Sequence, residues 1–202
     1  MVQNTKDLIR AISTSDESIL NRLVEKNADL SLSGSTFKGD HVSAMRIHTV
    51  GCSDTRWENC IFNDVDFDTL DLQRAKFISC TFHQCQFTKA ILAETVFEGC
   101  VFNHTSFLDT EDAEALEISH CQFQESIFRG LHFLDTLITA STFTLGELSH
   151  LDGEGALRSF VLRDVVIKDF DTSAMQLSAC TATGCQGLPA GFRSVEGRRR
   201  RV

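Results

Sequence analysis

Eight cysteines, Cys52, Cys60, Cys80, Cys85, Cys100, Cys121, Cys180 and Cys185, are the residues with the widest chemical range in this chain. Thiolates bind soft metals, carry redox chemistry and act as nucleophiles. Zinc ribbons and dithiol redox motifs place two of them two residues apart, a gap that no pair has here. His83, between Cys80 and Cys85, is the nearest approach to a metal-ligand set. Disulfide scaffolds are short and secreted, and this sequence reads as neither, so reduced thiols are expected. Ser, His and Asp are plentiful, yet there is no Gly-x-Ser-x-Gly elbow, no phosphate-binding Gly-rich loop and no His-Glu-x-x-His. The sequence therefore nominates no catalytic, cofactor-binding or metal residue, and the protein is read as no enzyme.

Carboxylates are more suggestive. Asp109, Glu111, Asp112, Glu114 and Glu117 crowd into one short segment, and between Leu108 and Leu148 the only base is Arg129. A second group comprises Asp64, Asp66, Asp68 and Asp71, while Arg198 to Arg201 form a basic run near the end. With 19 basic and 28 acidic residues the net charge is −9. Such a surface either keeps the protein soluble or faces a cationic partner. The four arginines attract phosphates, but alone they read as a solvated tail.

What positions these groups is a repeat. Of 202 residues, 42% are apolar and 23% charged, with 16 Phe, one Trp, one Pro and no Tyr, as if one packing position were used again and again. From Val65 the chain divides into fives whose third members are Phe67, Leu72, Phe77, Phe82, Phe87, Leu92, Phe97, Phe102 and Phe107. Phe37, Val42, Ile47, Trp57 and Phe62 continue the register backwards. First positions are small or aliphatic and fourth and fifth positions mostly polar, so two side chains in five point inward. Neither a 3.6-residue helix nor a two-residue strand period gives this, whereas a chain turning a corner every five residues does. Residues 20 apart should then stack: Cys60, Cys80, Cys100 and, after one inserted residue, Cys121. The insertion is placed within Leu108 to Glu117, with a compensating deletion near Asp152-Gly153-Glu154-Gly155. In this register Cys80 and Cys85 face inward and His83 outward, so the thiols read as buried filler.

On these residues the chain resembles the pentapeptide repeat family, over roughly Leu30 to Cys185; 13 of the 16 Phe share one position. The resemblance implies an all-β fold, a right-handed quadrilateral β-helix in which four units make a coil. About 29 units would give seven coils and a rod roughly 35 Å long. Few units keep the acidic or amide second residue of the family pattern, Asp66 and Asp71 among them.

Around the rod, residues 1–29 read as an N-terminal helical cap. Leu8, Ile9, Ile12, Ile19, Leu20, Leu23 and Val24 follow helical spacing, Thr14 with Glu17 suggests a capping box, and Asn27 a helix end. Residues 30–186 are the repeats and 187–202 a flexible basic tail, with Leu188 and Phe192 able to fold over the last coil. A bare last coil would expose unpaired backbone, so either the tail covers it or a homodimer forms there. Neither a membrane span nor a signal peptide is expected, which places the protein in the cytoplasm.

The expected function is a non-enzymatic protein–protein interaction module without cofactor or small-molecule substrate. Its partner-binding residues are Asp109, Glu111, Asp112, Glu114 and Glu117. The resemblance adds one specific alternative, because family members of the quinolone-resistance type are acidic, DNA-like rods that bind DNA gyrase or topoisomerase IV. Those proteins dimerise through a C-terminal helix, for which residues 187–202 are too polar and basic. A second alternative is a scaffold or effector of a secretion apparatus.

Overall fold

The computed structural model describes residues 3–26, 30–48, 50–110, 112–188 and 190–194. Its repeats wind into a four-sided parallel β-helix, the expected fold class. The corner is what a five-residue unit makes possible. From Ala44 to Ala179, every non-glycine residue with positive φ occupies the fifth position of a unit, at φ between 48 and 57°. The third residue's strand ends there, the chain turns, and the next inward side chain begins a new side. Placing L-residues in this region costs energy, which backbone bonding offsets. The N–H groups of Asn59, Thr69 and Ser79 each donate one coil ahead, to Ile78 O, Thr88 O and Glu98 O at 2.8–2.9 Å. Second-position N–H groups donate one coil back, as from Thr81 to Cys60 O at 2.9 Å.

Stacking follows directly. One side carries Val42, Phe62, Phe82, Phe102, Phe123, Phe143, Leu162 and Ala182 in parallel register. Rings stack face to face along it, with Phe82 and Phe102 at 4.7 Å and 4°, while neighbouring columns meet edge to face, as Phe82 and Phe87 do at 5.5 Å. The edge-to-face contacts suit the ring quadrupole, while the parallel stacks bury the ring faces. The adjoining side runs Phe37, Trp57, Phe77, Phe97, Ile118, Ile138, Leu157 and Leu177. Eight members per column mean eight coils, one more than the unit count suggested, because the irregular stretch after Asp152 still completes its turns. The rod is therefore about 34 Å from first coil to last at about 4.8 Å per step.

First-position hydroxyls and thiols are staples. Cys80 donates to Trp57 O at 3.4 Å, Cys100 to Phe77 O at 3.3 Å, Cys121 to Phe97 O at 3.4 Å, and Thr136 to Ala113 O at 2.9 Å. The cysteines thus do in the core what Ser and Thr do elsewhere at that position. Burial holds Cys52 up at about 12 and Cys85 at about 11, whereas within the stacked column hydrogen bonds between neighbouring thiols push Cys60 and Cys100 up and Cys80 and Cys121 down.

Insertion and deletion sit where spacing put them. Phe87 pairs with Phe107, Leu108 with Arg129, and Ala113 with Phe133, so the added residue lies after Leu108 and before Asp112. The register returns between Phe133↔Gly153 and Thr136↔Gly155. Gly153 is required there: its φ is +113°, and a Cβ would lie 1.8 Å from Phe133 O.

At the start, α1 (Gln3–Ser13) and α2 (Glu17–Lys26) cover the first coil, burying Leu8, Ala11, Ile12 and Leu20. The cap of α2 differs from the expected Thr14–Glu17 box. Asp16 accepts from Ile19 N–H at 3.1 Å and from Ser18 Oγ at 2.6 Å, while Thr14 Oγ donates back to Arg10 O at 2.7 Å and closes α1. Asn27 lies outside the described residues. At the other end Arg193–Ser194 pair with Thr181–Ala182. The chain is thus still attached to the rod beyond Gly187, where the tail was expected to begin. Phe192 is buried at this end, whereas Leu188, expected to fold over the last coil with it, is exposed.

Two substitutions test this construction. Phe102→Ala, in mid-stack, should lower unfolding free energy by about 3–5 kcal/mol in urea titration. Gly153→Ala should cost several times the ~1–2 kcal/mol of Gly39→Ala, whose φ is also positive but whose surroundings are open.

Candidate functional site: an acidic waist

Outward positions of adjacent coils lie one step apart, so charge patterns are read along columns. The insertion puts Asp109 at one corner of the rod, Asp112 and Glu114 on the next side, and Glu117 around the following corner. All four are exposed, and none takes part in the ion pairs of the described residues. Asp112 accepts from Glu114 N–H at 2.9 Å, which fixes the turn between them. Asp109 lies against Gly130, whose missing side chain leaves room for the carboxylate. Glu111 lies outside the described residues. The expected group is therefore not one flat face but part of a belt.

Three more acids belong to that belt. Glu94 N–H donates to Glu114 O, and Glu114 pairs with Leu134, whose neighbour is Asp135. Glu154, next to Gly153, continues the line on the following coil. Glu94, Glu114, Asp135 and Glu154 thus climb one edge coil by coil. Glu94 and Asp135 share a corner column with Ala115, and Glu114 stands one position before that corner.

The other acidic group is only partly paired, and Asp66 Oδ1 is buried without a hydrogen-bond partner. Arg46 bonds Asp68 and reaches Asp66 at 3.7 Å, and Asp71 accepts from Gln73 N–H at 2.9 Å. Nearby, Arg74 grips Asp54 through two bonds of 2.7 and 2.8 Å. Three histidines join coils on other edges: His104 to Glu125 at 3.3 Å, His132 to Asp152 at 2.6 Å and His150 to Asp169 at 3.2 Å. Among the described residues no three His, Cys, Asp or Glu side chains stand close enough to hold a metal ion. The concavities are open grooves. One of about 520 Å³ is lined by Asp54, Arg74, Lys76, Glu94 and Glu117 among others, a charged surface unlike an apolar ligand pocket. No helix among the described residues is long and apolar enough to cross a membrane.

Residues 80–111 match the family model for pentapeptide repeats, in 8 copies. No curated protein matches the chain. Among solved structures, a trypsin-treated form of QnrB1, a plasmid-mediated fluoroquinolone resistance protein, is 20% identical with TM-score 0.47, covering 84% of this chain and 91% of that one. Full-length QnrB1 gives 19% and 0.40 over 83% and 94%. HetL, a pentapeptide repeat protein involved in heterocyst differentiation regulation from the cyanobacterium Nostoc sp., gives 8% and 0.29 over 83% and 92%. All three TM-scores lie below one half, and no role follows from them.

The paired and unpaired carboxylates should separate by pH. Hydrogen bonds and charge from Arg74 hold Asp54 below the usual carboxylate range, so its contribution is present at neutral pH and lost as pH falls through that lowered value. Burial and the neighbouring Asp68 raise Asp66, so the folded state takes up its proton first and is penalised at neutral pH. Asp54→Asn should lower the melting temperature at pH 7, a difference that vanishes in acid. Asp66→Asn should leave it unchanged or raise it at pH 7, and remove the gain that wild type shows on mild acidification.

Proposed function

We propose that this chain, which carries pentapeptide repeats, acts by binding, presenting its acidic waist to a cationic protein surface, with no catalytic step. One observation carries this reading. Residues 90–150 contain ten acidic residues and one base, so the whole net charge of −9 is matched by three coils in the middle of the rod. Three coils rise about 14 Å, which is about one net charge per 1.6 Å of axis. Duplex DNA carries one per about 1.7 Å. Neighbouring carboxylates one coil apart lie well inside the Debye length of about 8–10 Å, so their fields add.

This charge density favours a partner built to hold DNA. The specific form of the reading is a cytoplasmic modulator of a type II topoisomerase, DNA gyrase or topoisomerase IV, with the rod occupying the enzyme's DNA groove. The residues assigned to the contact are Asp109, Glu111, Asp112, Glu114 and Glu117, joined by Glu94 and Asp135.

The test is inhibition of gyrase supercoiling by the purified protein across a salt series, beside a variant carrying Asp109→Asn, Glu111→Gln, Asp112→Asn, Glu114→Gln and Glu117→Gln. Salt-sensitive inhibition by wild type, weakened at least tenfold and with a shallower salt slope in the variant, is expected. Equal inhibition by both would remove the waist as the site. No inhibition at micromolar protein would remove the topoisomerase and leave a basic partner to be found by capture.

A further inference from the structure

One side of the rod differs from the other three in charge. It is the side built on the column Phe62, Phe82, Phe102, Phe123 and Phe143, and in each coil the residues before and after the column member point outward there. Over eight coils that makes sixteen described residues, of which Arg163 is the only Asp, Glu, Lys or Arg, although such residues make up 23% of the chain. The rest are Thr, Asn, Gln, Ser, His, Val and Ile, nearly all half-buried. The two adjoining sides carry both signs, Arg56 with Glu58 on one and Arg46 with Asp66 on the other. The side two corners away holds Asp112 and Glu114 of the waist. Depletion of charge is the compositional mark of an interface core.

We propose that this face docks a second copy of the chain, side by side and antiparallel. The order of residues along it is what makes it complementary to itself. A two-fold axis crossing the face sets the second coil against the other copy's seventh, the third against its sixth and the fourth against its fifth. Ile61 then meets Val161 of the second copy, Thr81 meets Thr142, Asn103 meets Gln124, and Arg163 meets the amide oxygen of Asn63. Hydroxyls and amides both donate and accept, so they pair with their like. A charged face facing its own copy would set like against like. The two waists point away from each other across the thickness of both rods, beyond the Debye length of about 8–10 Å. A strip five residues wide along the rod covers roughly 16 by 34 Å, about 500 Å² per copy. That is the size of a reversible contact. Both ends of the rod stay outside it, and the inference is independent of the waist as a binding site.

Sedimentation equilibrium of the full chain from micromolar to millimolar concentration tests it, with Thr81→Lys, Thr142→Glu, the two combined and, on the opposite side, Ile91→Lys as control. Wild type and the control should approach twice the monomer mass as concentration rises. High salt should favour this, because screening relieves the repulsion of a net charge of −9. Either single substitution should weaken pairing at least tenfold. Combined in one chain they should restore it, since the antiparallel register sets each against the other across the axis, whereas within one chain they stand three coils apart. All the substituted side chains point outward, so the far-ultraviolet β spectrum should be retained; if one single variant unfolds, the other decides. A wild type still monomeric at millimolar concentration, single variants that pair like wild type, or a combined variant no better than the singles would overturn the proposal. Loss of pairing in the Ile91→Lys control would overturn it as well.

Discussion

A corner held at positive φ, with its N–H bonded to the next coil, is the constraint from which the rest of the rod derives. Each such residue gives up roughly a kilocalorie or two of conformational preference, and the chain makes this sacrifice at nearly every fifth position, at Asp, Asn and His but also at Thr69, Arg74 and Leu145. It is tolerated because that N–H finds its partner only when another coil lies ahead. The corner is therefore stable in a stack and strained alone, which makes stability a property of neighbouring coils. Exact stacking, in turn, is what brings Phe over Phe. A slip of one residue would turn a whole column of rings towards water.

That dependence explains what was legible in the sequence. The third-position Phe column and the first-position Cys column reported the five-residue period, the face each side chain takes, and both register changes, because a single inserted residue displaces every later ring. Fixed register made the Cys80, His83 and Cys85 neighbourhood interpretable, with the thiols inside donating to carbonyls. The α2 cap was harder. Thr14 and Asp16 both satisfy the local preference for a capping residue, and only the three-residue link between the helices, in which Thr14 bonds back to Arg10, decides between them.

The candidate site was half legible for a related reason. Asp109, Glu111, Asp112, Glu114 and Glu117 stand out because they are close in sequence, but a solenoid makes neighbours of residues about 20 apart. Glu94 and Asp135 share the corner column of Ala115, next to Glu114, a relation that emerges only when residues are counted along their columns. The same geometry removes Asp66 and Asp68 from consideration: Arg46, one coil below, sits 20 residues before the first and 22 before the second. Local clustering overstated one group and missed the members of another.

Concentrating charge in the middle of the rod has an energetic logic. Two carboxylates roughly 5–7 Å apart repel by about 0.6–0.8 kcal/mol at the dielectric of water, and salt reduces this further. The coils bearing the waist also hold Phe97, Phe102, Phe107, Phe123, Phe128, Phe133 and Phe143, all buried. Burying one such side chain contributes about 1.5–3 kcal/mol, about two to five times the repulsion of a neighbouring pair. These coils are also flanked on both sides, so none relies on an end cap for its hydrogen bonds. Near the ends the aromatic columns thin to Val42 and Ala182, and there bases accompany the acids: Arg46 and Lys38 at one end, Arg163 and Lys168 at the other. The self-repulsion that this charge density imposes is thus carried where stacking is strongest.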